Sequence, residues 1–226
     1  AAERLEYRPS RIARTLVTRR THTLGIVIPA PDGDSLLAPF HHVTITAFAT
    51  TLEELGYDML MYTRPERLTR ESLVHSFTDG RTDGLVISNP MLDPEVILGL
   101  ERLGFPCALV SRRIDAAIPQ FVSDNHDGIR QAIDHLWRLG HRKIGYLHGD
   151  LRQFDAHERL DAYIEAIEER GAPALVGWGS FSAETTRCSA LEMLRTHRPT
   201  AILASHDDSA QGVYAAAQEM GLSIPR

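Results

Sequence analysis

From Leu24 onward, short apolar runs alternate with longer segments whose apolar residues recur every three or four positions. LGIVIP (24–29) reads as a strand buried on both faces. A helix is expected from Pro39 to Leu55, ended by Gly56, and YDMLMYT (57–63) is the next strand. Glu66–Thr78 reads as a helix with Leu68, Leu73, Val74 and Phe77 on roughly one face. DGLVIS (83–88), a helix at Pro94–Leu103 and PCALVS (106–111) follow. The pattern then repeats. QFVSD (120–124) leads into a helix at Asn125–Leu139, stopped by Gly140. KIGYLHG (143–149) is a strand, and His157–Arg170 a helix stopped by Gly171. Leu175–Trp178 is a weak strand, Ala183–Thr196 a helix, TAILAS (200–205) a strand and Asp208–Met220 a helix stopped by Gly221. The alternation predicts a further strand beyond LSIPR. Strands alternating with helices of this length imply an α/β fold, with parallel sheets covered by helices on both faces.

Composition adds limits. At 226 residues, 43% hydrophobic and 24% charged, the chain can bury a real core in one or two domains. No apolar run approaches the roughly 18 residues that span a membrane, and no apolar signal core opens the chain, so a cytoplasmic protein without membrane contact is expected. Cys107 and Cys188 lack metal-ligand spacing and read as reduced, buried thiols.

Charge is unevenly placed. Ala1–His22 carries Arg4, Arg8, Arg11, Arg14, Arg19 and Arg20 against Glu3 and Glu6, a balance of +4, which leaves the rest of a −6 chain at −10. A basic arm on an acidic body implies that the arm meets a polyanion. Tyr7-Arg8-Pro9-Ser10 is a stop followed by an N-cap, and Ser10 can cap a short helix at Arg11–Val17. Ile12, Ala13, Leu16 and Val17 share one face of it. A helix this short is unstable alone and orders only against a partner. On charge alone, a disordered basic linker or an arm folded against the core is the better explanation.

In open α/β sheets, ligands bind beyond the carboxyl ends of the strands. That rule selects the loop after Pro29, Ser88-Asn89, Ser111-Arg112, the loop after Gly149 and Ser205-His206-Asp207. No Gly-rich phosphate loop follows Ile28, which speaks against a nucleotide-dependent enzyme. His41-His42 have no carboxylate or Cys at ligand spacing, so they read as solvated helix-start residues and no metal is expected. Adjacent residues at one strand end cannot stack nucleophile, base and orienter, so Ser205-His206-Asp207 is no hydrolase triad. No cofactor and no catalytic residue is assigned.

Several motifs in order resemble the lac repressor family of bacterial transcription regulators. YRPSRIARTLVTRRTHTLGIVIP is similar to the family's hinge helix and first core strand. GYDMLMYT with TDGLVIS, LGHRKIGYLHG, ERLDAY, PTAILASHDDSAQG and MGLSIPR match later motifs at compatible spacing. The resemblance runs from end to end. It implies two Rossmann-like lobes of periplasmic-binding-protein type, preceded by a short hinge helix, with residues 1–22 as headpiece end and hinge, 23–123 as the N-terminal lobe and 124–226 as the C-terminal lobe. It implies a repressor, a homodimer, operator DNA as partner and a small effector, a sugar or similar metabolite, in a cleft. The hinge residues carried over are Arg8, Ser10, Arg11, Arg14, Leu16 and Arg19. Leu16 would wedge between base steps of the minor groove while the arginines contact phosphates. Dimer contacts would come from Thr44–Leu55 and Leu68–Thr78. The effector residues carried over are Phe40, His41, Ser88, Ser111, Asp155, Arg159, Phe181, His206 and Asp207.

The residues themselves leave alternatives. Arg159 could be a surface ion pair, Phe40 and Phe181 plain core, and Asp207 the N-cap of the helix from Asp208. Three departures from the family face the cleft: the long loop Ala30–Ala38, Ser111 in place of a carboxylate, and His206 in place of asparagine. They point to an unusual sugar or a non-sugar effector. A periplasmic-type sugar-binding protein without DNA binding shares the two-lobe core and is the alternative.

Overall fold

The computed structural model describes residues 18, 20–28, 39–63, 68–88, 91–179 and 183–225. They divide between Val122 and Ser123 into two compact units. The α/β expectation is borne out: every strand pair in both units is parallel.

In the first unit, β1 (Thr23–Val27), β2 (Asp58–Tyr62), β3 (Gly84–Ile87), β4 (Cys107–Val110) and β5 (Gln120–Phe121) form one sheet in the order β2-β1-β3-β4-β5. Helices α1 (Pro39–Leu55), α2 (Arg70–Phe77) and α3 (Pro94–Arg102) make the crossovers that parallel pairing requires. Alternate residues of the central strands face opposite sides. Val27, Leu85, Ile87 and Leu109 pack with Leu73 and Phe77 of α2 and Val96, Ile97 and Leu100 of α3. Thr69 caps α2 and Asp93 caps α3, each accepting a backbone N–H from the first turn. α1 is covered far less. Of its described side chains only Leu52 is fully buried, while Val43 is 66% and Leu55 65% exposed.

In the second unit, β6 (Ile144–His148) lies between β7 (Leu175–Trp178) and β8 (Ala201–Ala204). Ile144 and Tyr146 face α4 (Asn125–Arg138) and α5 (Phe154–Glu168), packing on Ile129, Ile133, Tyr163 and Ile167. Leu147 points the other way, into α6 (Ala183–Thr196) and α7 (Asp207–Glu219), against Leu191, Met193 and Val213. Tyr163 stacks on Tyr146 at 5.0 Å between centroids, and its hydroxyl donates to the Ile144 carbonyl while accepting from the Leu175 N–H. That one side chain ties α5 to β6 and β7.

Four expectations are corrected. The second helix starts at Arg70, because Thr69 turns its hydroxyl onto the Ser72 N–H; Leu68 precedes the helix and is exposed, and residues 66–67 lie outside the described residues. α5 begins at Phe154, three residues early, after the Gln153 N–H closes a turn on the Asp150 carbonyl. Cys188 is exposed on α6, and only Cys107 is half-buried, where burial pushes its thiol pKa up. His41 is not a solvated histidine: its Nδ1 is buried without a partner, and burial pushes its pKa down. The arm helix at Arg11–Val17 and the loop Ala30–Ala38 lie outside the described residues.

α6 and α7 approach closely at Gly212, where a Cβ would sit 2.6 Å from the Ala183 carbonyl oxygen and 2.9 Å from the Arg187 nitrogen. Backbone cannot move aside, so Gly212→Ala should destabilise by about 1–3 kcal/mol. A Cβ on Gly128 of α4 meets only open space. Gly128→Ala should stabilise by about 0.5–1 kcal/mol through helix propensity. Urea unfolding midpoints of the two variants should therefore move in opposite directions.

Candidate functional site

A helix that follows a strand begins at the strand's carboxyl end, so both sheets collect their loop residues and helix starts at that edge. In the first unit, Ser88 and Ser111 follow the neighbouring strands β3 and β4, and Phe40 and His41 open α1. Ser88 is buried, and its hydroxyl has no hydrogen-bond partner. Ser111 adopts φ +57° while its N–H donates to the Phe121 carbonyl. A left-handed serine costs about 1–2 kcal/mol, and such strain is commonly held at functional positions. It turns the chain so that Arg112 reaches back to donate to the Leu92 carbonyl. The Phe40 and His41 rings meet edge to face at 5.5 Å.

The second unit builds a connected polar site around Arg159. Its Nε donates to Asn125 Oδ1 at 2.8 Å, and its Nη1 to the Ser205 carbonyl at 2.8 Å. The Asn125 amide donates in turn to Asp155 Oδ1 at 3.0 Å and to Glu158 Oε2 at 2.8 Å. Asn125 is buried and is the first residue of α4; Asp155, Glu158 and Arg159 lie along the first turns of α5. The guanidinium is thereby fixed by two acceptors, and its Nη2 has no partner among the described residues. Next to it, the Ser205 hydroxyl is buried and unpartnered. The Tyr146 hydroxyl is also buried and unpartnered; burial pushes its pKa up to about 12, an effect the Arg159 charge opposes. Buried polar atoms without partners carry a cost of about 1–3 kcal/mol each, so a site that leaves them open favours a ligand or water that fills them.

His206 follows Ser205, and here the expectation for Asp207 is corrected. His206, in extended backbone, is itself the N-cap of α7, with Nδ1 accepting the Ser209 N–H at 3.2 Å. Asp207 is the first helical residue, where its charge suits the positive end of the helix. The histidine therefore caps the helix, but only while neutral. Burial pushes its pKa down from 6.5, Arg159 adds to this, and Asp208 and Asp207 oppose it.

Asp155 and Arg159 share one network, with His206 following the Ser205 that accepts from Arg159. Ser88 and Ser111 share one sheet edge. Phe181 and the six hinge residues lie outside the described residues. Asn125, Glu158 and Tyr146 were not selected from the sequence as site residues, and Ser205 was selected by the strand-end rule alone. An asparagine directly after the Asp124 cap was a signal of a kind, since an interior first-turn amide needs partners beyond its own helix. Among the described residues, no group of three or more His, Cys, Asp or Glu side chains could hold a metal ion, and no helix is long and apolar enough to cross a membrane.

Asn125→Ala leaves three charged groups short of a partner and should lower stability by about 1–3 kcal/mol. Asn125→Asp keeps an acceptor for Arg159 but sets a carboxylate against Asp155 and Glu158, and should lower the midpoint of a denaturant titration at least as much as Asn125→Ala. His206 should give a pH signature. Its folded pKa is depressed, so its contribution is complete above about 6.5 and is lost as the pH falls through the lower folded value. His206→Asn keeps a cap without a proton to gain, and its midpoint should fall less than the wild type's over that interval.

The family model described as a periplasmic binding protein-like domain matches residues 133–226. The chain is 27% identical over 228 residues to the ribose operon repressor of Halalkalibacterium halodurans, covering all of this chain and 66% of that protein. It is 28% identical over 232 residues to the transcriptional regulator CelR of Thermobifida fusca, covering all of this chain and 65% of that one. The chain thus spans about two thirds of the length of these relatives. The fold matches a crystal structure of the lac repressor dimer bound to operator and the anti-inducer ONPF with a TM-score of 0.83 at 25% identity, over 99% of this chain and 68% of that chain. End-to-end similarity to regulators of this kind and the matching fold agree with the resemblance to the lac repressor family that the motifs carry.

Proposed function

We propose that the protein is a cytoplasmic, homodimeric transcription repressor whose operator affinity is set by a small polyhydroxylated effector, a sugar or a close chemical relative. The observation that carries this reading is the Arg159 site. A guanidinium held by Asn125 and the Ser205 carbonyl offers its remaining donors in a fixed direction beside an unpartnered buried hydroxyl. Donors fixed in direction are what orients a small polar ligand. Asp155, Arg159, His206 and Asp207 are the effector contacts of the second unit in this reading. The relatives support it as well, since a ribose operon repressor is among the proteins this chain aligns with from end to end.

Operator DNA is taken by the basic arm through Arg8, Ser10, Arg11, Arg14, Leu16 and Arg19, in the manner of a minor-groove helix flanked by phosphate contacts. The exposed surface of α1, which includes Val43 and Leu55, supplies part of the contact between copies. Effector and operator are then coupled by about 1–3 kcal/mol, equally in both directions.

Thermal unfolding against a panel of mono- and disaccharides, sugar phosphates and purines tests the effector. A ligand present at 100 times its Kd should raise Tm by about 5–10 °C in the wild type. Arg159→Ala should abolish the rise. A ligand that shifts both proteins equally would place the effector elsewhere, and no shift from any saccharide would remove the sugar class.

A further inference from the structure

The described chain enters the first unit through an elbow that no strand-end argument selected. The Thr18 hydroxyl accepts the Arg20 N–H and donates to the Arg20 carbonyl. The next residue, Thr21, is bound twice to Asp83: its N–H donates to Oδ1 at 2.7 Å and its hydroxyl to the same oxygen at 2.8 Å. His22 donates its N–H to the other carboxylate oxygen, Oδ2, at 2.9 Å. The Thr21 hydroxyl also accepts the Thr23 N–H at 3.1 Å, and the Thr23 carbonyl accepts the Asp83 N–H at 2.8 Å.

His22 sits at φ +52°, a left-handed conformation that an ordinary side chain adopts only when its surroundings hold it there. Here they do. Its carbonyl accepts the Asp58 N–H at 2.8 Å, and its ring lies against Tyr57 with centroids 5.5 Å apart. A chain merely entering an edge of a sheet would leave these groups to water. Instead, both oxygens of one carboxylate are filled by consecutive residues of the entering segment. Burial pushes the Asp83 pKa up, but the bonds from Thr21 and His22 and the charge of His22 outweigh it, so the group stays ionised below the usual carboxylate range. Charge-assisted bonds of this kind are the short, directional ones.

We infer that Asp83 is a positioning residue that fixes the direction in which the chain at Thr21 and His22 enters β1, so that this entry moves with the first unit. β3 runs from beside Asp83 to Ser88, so the clamp and a candidate effector contact lie at the two ends of one four-residue strand. The consequence for operator affinity rests on the repressor reading above; the clamp itself does not.

Hydrogen exchange on the intact 226-residue chain tests the clamp. In Asp83→Ala the Thr21 and His22 amides should exchange at least about tenfold faster, while the β3 amides of Leu85–Ile87 change less than about twofold. Asp83→Asn should divide the effect, because an amide offers one oxygen and one donor: protection of one of the two amides survives and that of the other is lost. A nitroxide on Arg20→Cys, in a Cys188→Ser background, should give an immobilised spectrum that becomes mobile in Asp83→Ala. Thr21 and His22 amides unprotected in the wild type, β3 amides accelerated as much as the elbow, or a nitroxide already mobile beside an intact Asp83 would each overturn the inference. None of these readouts contains DNA, so their failure leaves the repressor reading standing, and failure of that reading leaves the clamp standing.

Discussion

Parallel pairing is the constraint from which the rest of this molecule follows. Two parallel strands cannot be joined by a tight turn, so the chain must cross back over the sheet between them, here through a helix at most crossings. Each crossing begins at the carboxyl end of one strand and delivers the chain to the amino end of the next. Loop residues and helix starts therefore gather at one edge, and helix ends and strand entries at the other. The candidate effector residues and the arm elbow are consequences of that sorting. Ser88, Ser111, Ser205 and His206 lie at carboxyl ends, whereas Thr21, His22, Asp58 and Asp83 lie at amino ends.

The two edges are built with different chemistry. At the carboxyl edge of the second unit, polar groups are fixed in place but left incomplete. Arg159 is oriented by Asn125 and the Ser205 carbonyl, yet the Ser205 and Tyr146 hydroxyls have no partner. At the amino edge of the first unit, the polar groups are saturated. Asp83 accepts three bonds, and the Thr21 hydroxyl both donates and accepts. An incomplete network is suited to a ligand, because a ligand can contribute bonds that the protein lacks. A saturated one resists bending and is suited to transmission. Allosteric coupling needs both: a place where a small molecule changes the free energy, and a stiff path from an element that responds to it.

Histidine at position 206 combines a structural role with a titratable one. The cap on α7 needs an acceptor for the Ser209 N–H, and a neutral imidazole nitrogen provides it as asparagine would. Unlike asparagine, it can be protonated, and protonation removes the acceptor and places a positive charge at the positive end of a helix. Burial and the nearby Arg159 both favour the neutral form, so the cap is intact at neutral pH. The two aspartates that follow pull the other way.

Much of this was legible in the chain itself. Apolar runs bounded by glycine gave the strands and helices in order, because a strand buried on both faces must be apolar throughout and a helix must end where glycine can turn left-handed; Gly56, Gly140, Gly171 and Gly221 all do so. The carboxyl-edge rule then selected Ser88, Ser111 and the Ser205-His206-Asp207 run, and the motifs added Arg159. Tertiary structure decided the rest. Nothing local says that Asn125 faces Asp155, Glu158 and Arg159, some thirty residues away, or that Asp83 receives Thr21 and His22 about sixty residues upstream. A cap is also a matter of geometry: Asp207 and His206 both carry acceptors, and only the backbone angles at position 206 determine which one reaches the Ser209 N–H. Sequence patterns report which surfaces are apolar, and that is enough to fix elements and layers. Hydrogen-bond partners depend on distances of a few tenths of an ångström between segments far apart in the chain, and those distances exist only once the layers have packed.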